Sequence, residues 1–328
     1  MSELGPSPEQ SEIETQGIAL AQEIAVLRSQ ASSDEDYQAI LLKARELKGL
    51  FGIGSSEAKL SGEISEQMVE AREVLGAENF IGPDEVKAAF LDQVEIAEVP
   101  TIPFSKEELE RAKELNQILI LRVDKAKDGS DLTMEKIHKL MNGQIKDETK
   151  VLYSVDWYKD EEFYKKDKPD VSWALVSKEV TPDSLDKNYL KQTEVLVNYL
   201  QNEVFKDKEM PSEYAEAIKE FEKEKASIAR IVESDDEAKW KEAARRLESL
   251  KINQLTRQTP TESIYDLVAY YQHTGQRLLE NTRTWTKRRA SDGDLVDVGR
   301  FDAYGAPVIR GRPDDHGARL GVSFSRSH

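Results

Sequence analysis

Apolar residues return at helical spacing along most of the chain as far as Gly275. Ile13, Gly17, Leu20, Ile24 and Leu27 form one series, and Tyr37, Ile40, Ala44, Leu47 and Phe51 a second. After a turn at Gly52–Ser56, Leu60, Ile64, Met68, Ala71 and Leu75 form a third. The steps average about 3.5 residues, the period of amphipathic helices with coiled-coil-like faces. The pattern predicts an N-terminal helical bundle or hairpin whose apolar stripes serve either as its own core or as an oligomerisation face. Val99-Pro100-Thr101-Ile102-Pro103 reads as an extended linker, because each proline disfavours helix at the residue before it. Ser105 with Glu108 is a capping box that opens a helix to about Asn116. Ile118–Leu121 is a short buried strand or a continuation of that helix, and Leu132–Met141 is another helix.

Between Val151 and Val180 the texture changes. Trp157, Tyr158, Phe163, Tyr164 and Trp173 lie close together, and Trp173–Val176 reads as a strand. Helices follow, one marked by Tyr189, Thr193, Leu196, Leu200 and Val204, one over Tyr214–Val232 and one over Trp240–Leu250. The last begins after Pro260, carries Ile264, Leu267, Val268 and Tyr271, and stops near Gly275. Beyond it, Gly293, Gly299, Gly305, Gly311 and Gly317 divide the chain into short pieces. Leu295–Phe301, Ala306–Arg310 and Leu320–Ser325 are the strands expected there. Leu320, Val322 and Phe324 alternate with Gly321, Ser323 and Ser325, as in a half-buried strand, and Pro307 places its strand at a sheet edge. The six-residue glycine spacing suggests turn placement rather than a β-helix.

Composition sharpens this division. The chain has 328 residues and a formal charge of -17. All 28 Lys and all 39 Glu lie in residues 1–287, whereas residues 288–328 carry seven Arg and six Asp with neither Lys nor Glu. The acidity argues against nucleic acid as a general partner. The absence of cysteine excludes disulfides, thiolate metal sites and thiol nucleophiles. No apolar run approaches the ~18 residues that span a bilayer. The first thirty residues hold Glu3, Glu9, Glu12 and Glu14 with no basic start or apolar run of a secretory signal. A cytoplasmic location is the expectation, with a phage particle or unconventional export as alternatives.

Few residues carry recognisable chemistry. His138 and His273 stand on expected helices without a second His four residues on, so they predict no metal pair. Asp314, Asp315 and His316 form a glycine-flanked loop that reads either as a metal site or as a polar loop tip. Gly52-Ile-Gly54-Ser-Ser56 lacks the lysine of a phosphate-binding loop. Arg283, Lys287, Arg288 and Arg289 around Trp285 suit either a stacked base or phosphate, or a solvated rim at a domain edge. No cofactor is implied.

Residues Ser263–Ser327 resemble the end of bacterial diversity-generating retroelement target proteins. The resemblance rests on Tyr265-Asp-Leu-Val268, Thr274-Gly275-Gln-Arg-Leu278-Leu279, Trp285-Thr286, Gly293-x-Leu-Val-x-Val-Gly299 and the closing Gly321-Val-Ser-Phe-Ser-Arg326. It is plausible back to about Val151 and says little of residues 1–95. It implies a C-type lectin-like domain of the formylglycine-generating-enzyme type, and hence an α+β chain. The expected parts are a helical module over 1–95, a helical and linker region over 96–150, and the lectin-like domain over 151–328, helix-rich with short C-terminal strands. In such families a reverse transcriptase randomises template adenines, so AAC and AAT codons become any codon ending in C or T. Such codons cannot encode Met, Trp, Gln, Lys or Glu. Residues 290–328 contain none of these, nor any Asn. A change from helical to strand-rich structure would also deplete Lys and Glu.

If 290–328 is diversified, the varied side chains should be exposed on a fixed framework. The framework expected is Val296, Val298, Phe301, Val322 and Phe324, with Gly299, Gly305 and Gly321 at turns. The ligand-binding residues expected are Asp294, Asp297, Arg300, Asp302, Tyr304, Ala306, Val308, Arg310, Arg312, Asp315, His316 and Arg319. The resemblance implies a non-enzymatic binder of a protein or other macromolecular ligand, with homo-oligomerisation through the N-terminal helices as a further expectation. The chain departs from its formylglycine-generating relatives, which depend on cysteine, so that activity does not carry over. It also lacks the disulfides and calcium motifs of animal C-type lectins. The alternatives are a self-assembling helical scaffold, or an enzyme acting near Arg283–Arg289.

Overall fold

The structure, a computed structural model, describes residues 8–30, 40, 43 and 56–327. The chain is α+β and divides into two units, Met1–Glu73 and Val74–His328. The divisions expected at 95/96 and 150/151 fall inside the second unit, because strand pairing runs across them. Helix α1 (Pro8–Gln30) forms where the first apolar series lies, and α2 (Ser56–Leu75) where the third lies. The second series and the Gly52–Ser56 turn lie outside the described residues, apart from helical Ile40 and Lys43 and the first residue of α2. Lys43 pairs with Glu23 of α1.

The second unit is built on two four-stranded sheets and a central helix. β1 (Phe80–Ile81) is followed by α3 (Pro83–Ala89), β2 (Val94–Glu95) and α4 (Lys106–Glu114). The predicted capping box opens α4: the Glu108 N–H donates to Ser105 Oγ at 3.3 Å, and the Ser105 N–H donates to the Glu108 carboxylate at 3.0 Å. β3 (Gln117–Arg122) resolves the strand-or-helix ambiguity at Ile118, and all six of its residues are buried. β4 (Lys125–Ala126) pairs with β2, and α5 (Met134–Met141) and α6 (Glu162–Lys165) precede β5 (Ser172–Ser177). A helical layer follows: α7 (Tyr189–Tyr199), continued by a π turn over Leu200–Val204, then α8 (Ser212–Val232), α9 (Glu237–Ser249) and the short α10 (Lys251–Thr256). α11 (Pro260–Thr274) starts at a Thr259–Glu262 capping box and stops at left-handed Gly275. The chain ends in β6 (Arg283–Arg289), β7 (Leu295–Gly299), β8 (Val308–Gly311), β9 (Leu320–Gly321) and β10 (Ser325–Ser327).

The first sheet has the order β1-β3-β5-β10 and the second β8-β7-β6-β9. β8 is therefore an edge strand, as Pro307 predicted. The last residues do not form one half-buried strand. β9 pairs with β6 in the second sheet, and β10 crosses to pair with β5 in the first. Both faces of this stretch are thereby covered, and Gly321, Ser323 and Ser325 are buried along with Leu320, Val322 and Phe324. β6 is the main strand that sequence reading missed. Its cations hid the strand, with Trp285 buried against Tyr189 at 5.9 Å between ring centres.

Helix α11 is buried on every side from Pro260 to Tyr271. Its carboxylates join the two sheets. Arg122 of β3 donates to Asp266 at 3.1 and 2.6 Å and lies 3.4 Å from Glu262. Glu262 lies 3.7 Å from Lys287 of β6, and Arg122 also donates to Ser325 of β10 at 3.2 Å. A buried guanidinium loses hydration, and the charge pairing and hydrogen bonds of these carboxylates offset that cost.

Two glycines are required by close backbone approach. A Cβ on Gly299 would lie 2.4 Å from the Thr282 carbonyl oxygen, and one on Gly305 would lie 2.5 Å from the Leu152 carbonyl carbon. Gly305 also has φ +98°, a conformation that L-residues rarely adopt. Gly305→Ala should therefore lower the unfolding free energy by about 2–3 kcal/mol, read from urea denaturation.

Candidate functional site

The expected framework residues Val296, Val298, Phe301, Val322 and Phe324 are all buried with no exposed surface. Gly299 ends β7, Gly305 sits in the connection to β8, and Gly321 lies within β9 rather than at a turn. The twelve expected binding residues separate into three groups. Arg300, Tyr304, Arg310, Asp315, His316 and Arg319 are exposed, and Asp294, Asp302 and Arg312 are half-buried. Asp297, Ala306 and Val308 are buried, contrary to the exposure expected of them.

Each of those three has a packing reason. Asp297 occupies the middle of β7, a central strand, where its carboxylate accepts two hydrogen bonds from Arg283 at 2.8 and 3.0 Å. Ala306 is locked between backbone partners: its N–H donates to Val151, and its carbonyl accepts from the Tyr153 N–H, at 3.0 and 3.1 Å. Val308 turns inward, leaving its neighbour Ile309 exposed. Of the alternate positions 306, 308 and 310 expected to face outward, only Arg310 does, and Ile309 is exposed beside it.

The segment 150–153 zips onto the loop after β7, and this union builds a concavity of about 810 Å³. One wall is Tyr153, Ser154 and Trp157; the other is Arg300, Asp302, Tyr304 and the start of β8 with Pro307, Ile309 and Arg310. Among the described residues, eight large hydrophobic or aromatic side chains are exposed, and three of them, Tyr153, Tyr304 and Ile309, line this one depression. Tyr153 is 66% exposed and Tyr304 69%. Trp157 is fixed beneath them, its indole N–H donating to the Val308 carbonyl at 2.9 Å. The Arg310 guanidinium lies 5.1 Å from the Trp157 ring centre and pairs with Asp292. The Tyr304 N–H donates to the Asp302 carboxylate at 2.8 Å, which shapes the loop. The bound side of the wall at 153–157 was missed from sequence. Its aromatic density was visible, but nothing local showed that it would meet residues 300–310.

The other expected sites are accounted for internally. Arg283, Lys287, Arg288 and Arg289 face Asp297, Glu262, Asp167 and Glu248 respectively, so the basic cluster serves ion pairs within the fold. Asp314 pairs with Arg312, the Asp315 carboxylate accepts the Arg312 N–H at 2.9 Å, and His316 lies 2.8 Å from Asp186. Among the described residues, no three His, Asp or Glu side chains are grouped to hold a metal ion. His138 is half-buried beside the Tyr164 hydroxyl at 3.3 Å, and burial lowers its pKa. His273 bonds the Ala77 carbonyl at 2.9 Å. No helix among the described residues is long and apolar enough to cross a membrane.

Burial pushes the Asp297 pKa up to about 7, against the opposing pull of Arg283. A carboxyl whose folded pKa exceeds its unfolded value binds more protons when folded. Its contribution therefore falls as pH rises from about 4 through 7. Asp297→Asn should flatten that decline, so that the difference between variant and parent urea midpoints grows in the variant's favour from pH 4.5 to pH 8.

Comparison of the chain with protein-family models, with curated proteins and with solved structures finds no match.

Proposed function

We propose that this chain is a non-enzymatic binding protein of the diversity-generating retroelement kind, with a C-type lectin-like C-terminal domain. Its recognition surface is the concavity between residues 153–157 and 300–310. The observation that carries this reading is the convergence of two exposed tyrosines, a fixed tryptophan and two arginines on one concave face. Tyr, Trp and Arg dominate the energetics of protein recognition because they offer large contact area with directional hydrogen bonds. The backbone beneath is held by Gly305, by the 150–153 zipper and by wholly buried Val296, Val298 and Phe301. Side chains at 300, 304, 309 and 310 can thus be exchanged with little effect on folding.

Selection of ligands from a displayed random-peptide library against the intact chain tests the proposal. The selected peptides should compete for one site and be released by Tyr304→Ala. Peptides that bind independently of Tyr304, Arg300 and Arg310 would contradict it.

A further inference from the structure

A row of main-chain groups along the concavity is left unfinished. β8 is the outer strand of its sheet. Its neighbour β7 turns even-numbered residues toward β6: the Val296 carbonyl accepts from the Thr286 hydroxyl at 2.8 Å, and just past β7 the Arg300 N–H donates to the Thr282 carbonyl at 2.6 Å. Leu295 and Asp297 therefore face Gly311 and Ile309, and the main-chain groups of Val308 and Arg310 point away from the sheet. The chain fills the start of this outer row itself. Ala306 takes an extended segment as a parallel bridge, bonding Val151 and Tyr153, and the Val308 carbonyl takes the Trp157 indole. Beyond that point the Val308 N–H and both the N–H and carbonyl of Arg310 have no partner among the described residues. The row closes at Arg312, whose N–H donates to Asp315 at 2.9 Å. The other outer strands of the two sheets, β1, β9 and β10, are buried except for half-buried Ser327, whereas β8 exposes Ile309 and Arg310.

Resting on the binding reading above, we infer that the ligand is an extended segment of a partner protein that adds to β8 as a further strand, continuing the row that residues 151–153 begin. The open groups lie on alternate residues of one strand, the ~6.6 Å repeat at which a neighbouring strand presents its own pairing groups. Such a segment would give one N–H to the Arg310 carbonyl and take the Val308 and Arg310 N–H groups on two of its carbonyls. A helix has these groups engaged within itself, and a run of prolines has no N–H, so either leaves the Arg310 carbonyl unanswered. A second copy of this chain is disfavoured, because pairing two such edges sets Arg310 against Arg310 or against the occupied Val308 carbonyl. Tyr153, Trp157 and Tyr304 stand beside the row to receive the side chains of the added strand.

The test is amide hydrogen exchange of the isotope-labelled full chain, followed by NMR with and without a Tyr304-dependent peptide from the displayed library. Bound peptide should slow exchange at Val308 and Arg310 about tenfold or more, and leave Ile309 and Gly311, which already face β7, little changed. Replacing the peptide's amides by esters one at a time should weaken binding about tenfold at the position whose N–H meets the Arg310 carbonyl. Unchanged exchange at Val308 and Arg310, or no ester that weakens binding, would overturn the inference. So would slowing that grows with protein concentration in the absence of peptide, which would assign the edge to a second copy, or slowing produced by maltohexaose instead. If Tyr304-dependent peptides bind without slowing these amides, strand addition falls and the binding surface stands. If no selected peptide depends on Tyr304, the binding reading itself falls.

Discussion

Asp266→Ala should lower the unfolding free energy by about 3–5 kcal/mol, a large share of the roughly 5–15 kcal/mol that ordinary folded chains possess. The reason is the guanidinium left behind rather than the bond removed. Arg122 has a side chain only 2% exposed, and burial alone would lower its pKa; Asp266 and Glu262 outweigh that and raise it. Without Asp266, its Nε loses its acceptor at 3.1 Å and one terminal nitrogen loses its shorter bond at 2.6 Å, keeping only Ser325 Oγ at 3.2 Å. The Gln258 amide, which donates to the same carboxylate at 2.5 Å, is stranded with it. Replacing the pair together, Arg122→Met with Asp266→Leu, should recover much of the loss, because the buried charge goes as well. Urea denaturation of the single and double variants measures both effects.

The opposite result is expected at the concavity. Arg300→Ala, Tyr304→Ala and Arg310→Ala combined should change the melting temperature by no more than a few degrees. Tyr304 is 69% exposed, Arg300 is exposed directly after β7, and Arg310 gives up a partly exposed ion pair of small worth. The same variant should lose about 100-fold or more in affinity for library-selected ligands, since Tyr and Arg anchors carry most of the energy of such contacts. Calorimetry and binding on the same preparation separate the effects. A large stability loss with unchanged affinity would mean these side chains belong to the core.

Much of this architecture was legible in the sequence. The capping box at Ser105, the proline at 260 and the glycine at 275 marked helices locally, because the groups they satisfy lie within four residues; the second capping box, at Thr259, was not read from the sequence. The strand at 172–177 was legible in its apolar centre at Trp173–Val176, whereas the apolar run Ile118–Leu121 suited a strand or a continued helix, since a run buried on both faces has no period to tell them apart. β6 was not legible, since its cations are neutralised by Glu262, Glu248 and Asp167, all distant in sequence. The same limit applies to the site. Arg300, Tyr304 and Arg310 were recognisable as exposed in a glycine-broken segment. Burial of Asp297 depended on Arg283, and burial of Ala306 on the 151–153 backbone, contacts that no local pattern encodes.

The most direct measurement is the DNA sequence downstream of the codons for 290–328. The account predicts a near-repeat of that stretch beside a reverse transcriptase gene. Its differences should lie at adenines, in codons for exposed residues such as Arg300, Tyr304, Ile309 and Arg310, and should spare those for Val296, Val298, Phe301 and Gly305. A downstream sequence without such a repeat, or with differences concentrated on the buried framework, would contradict a diversified recognition surface.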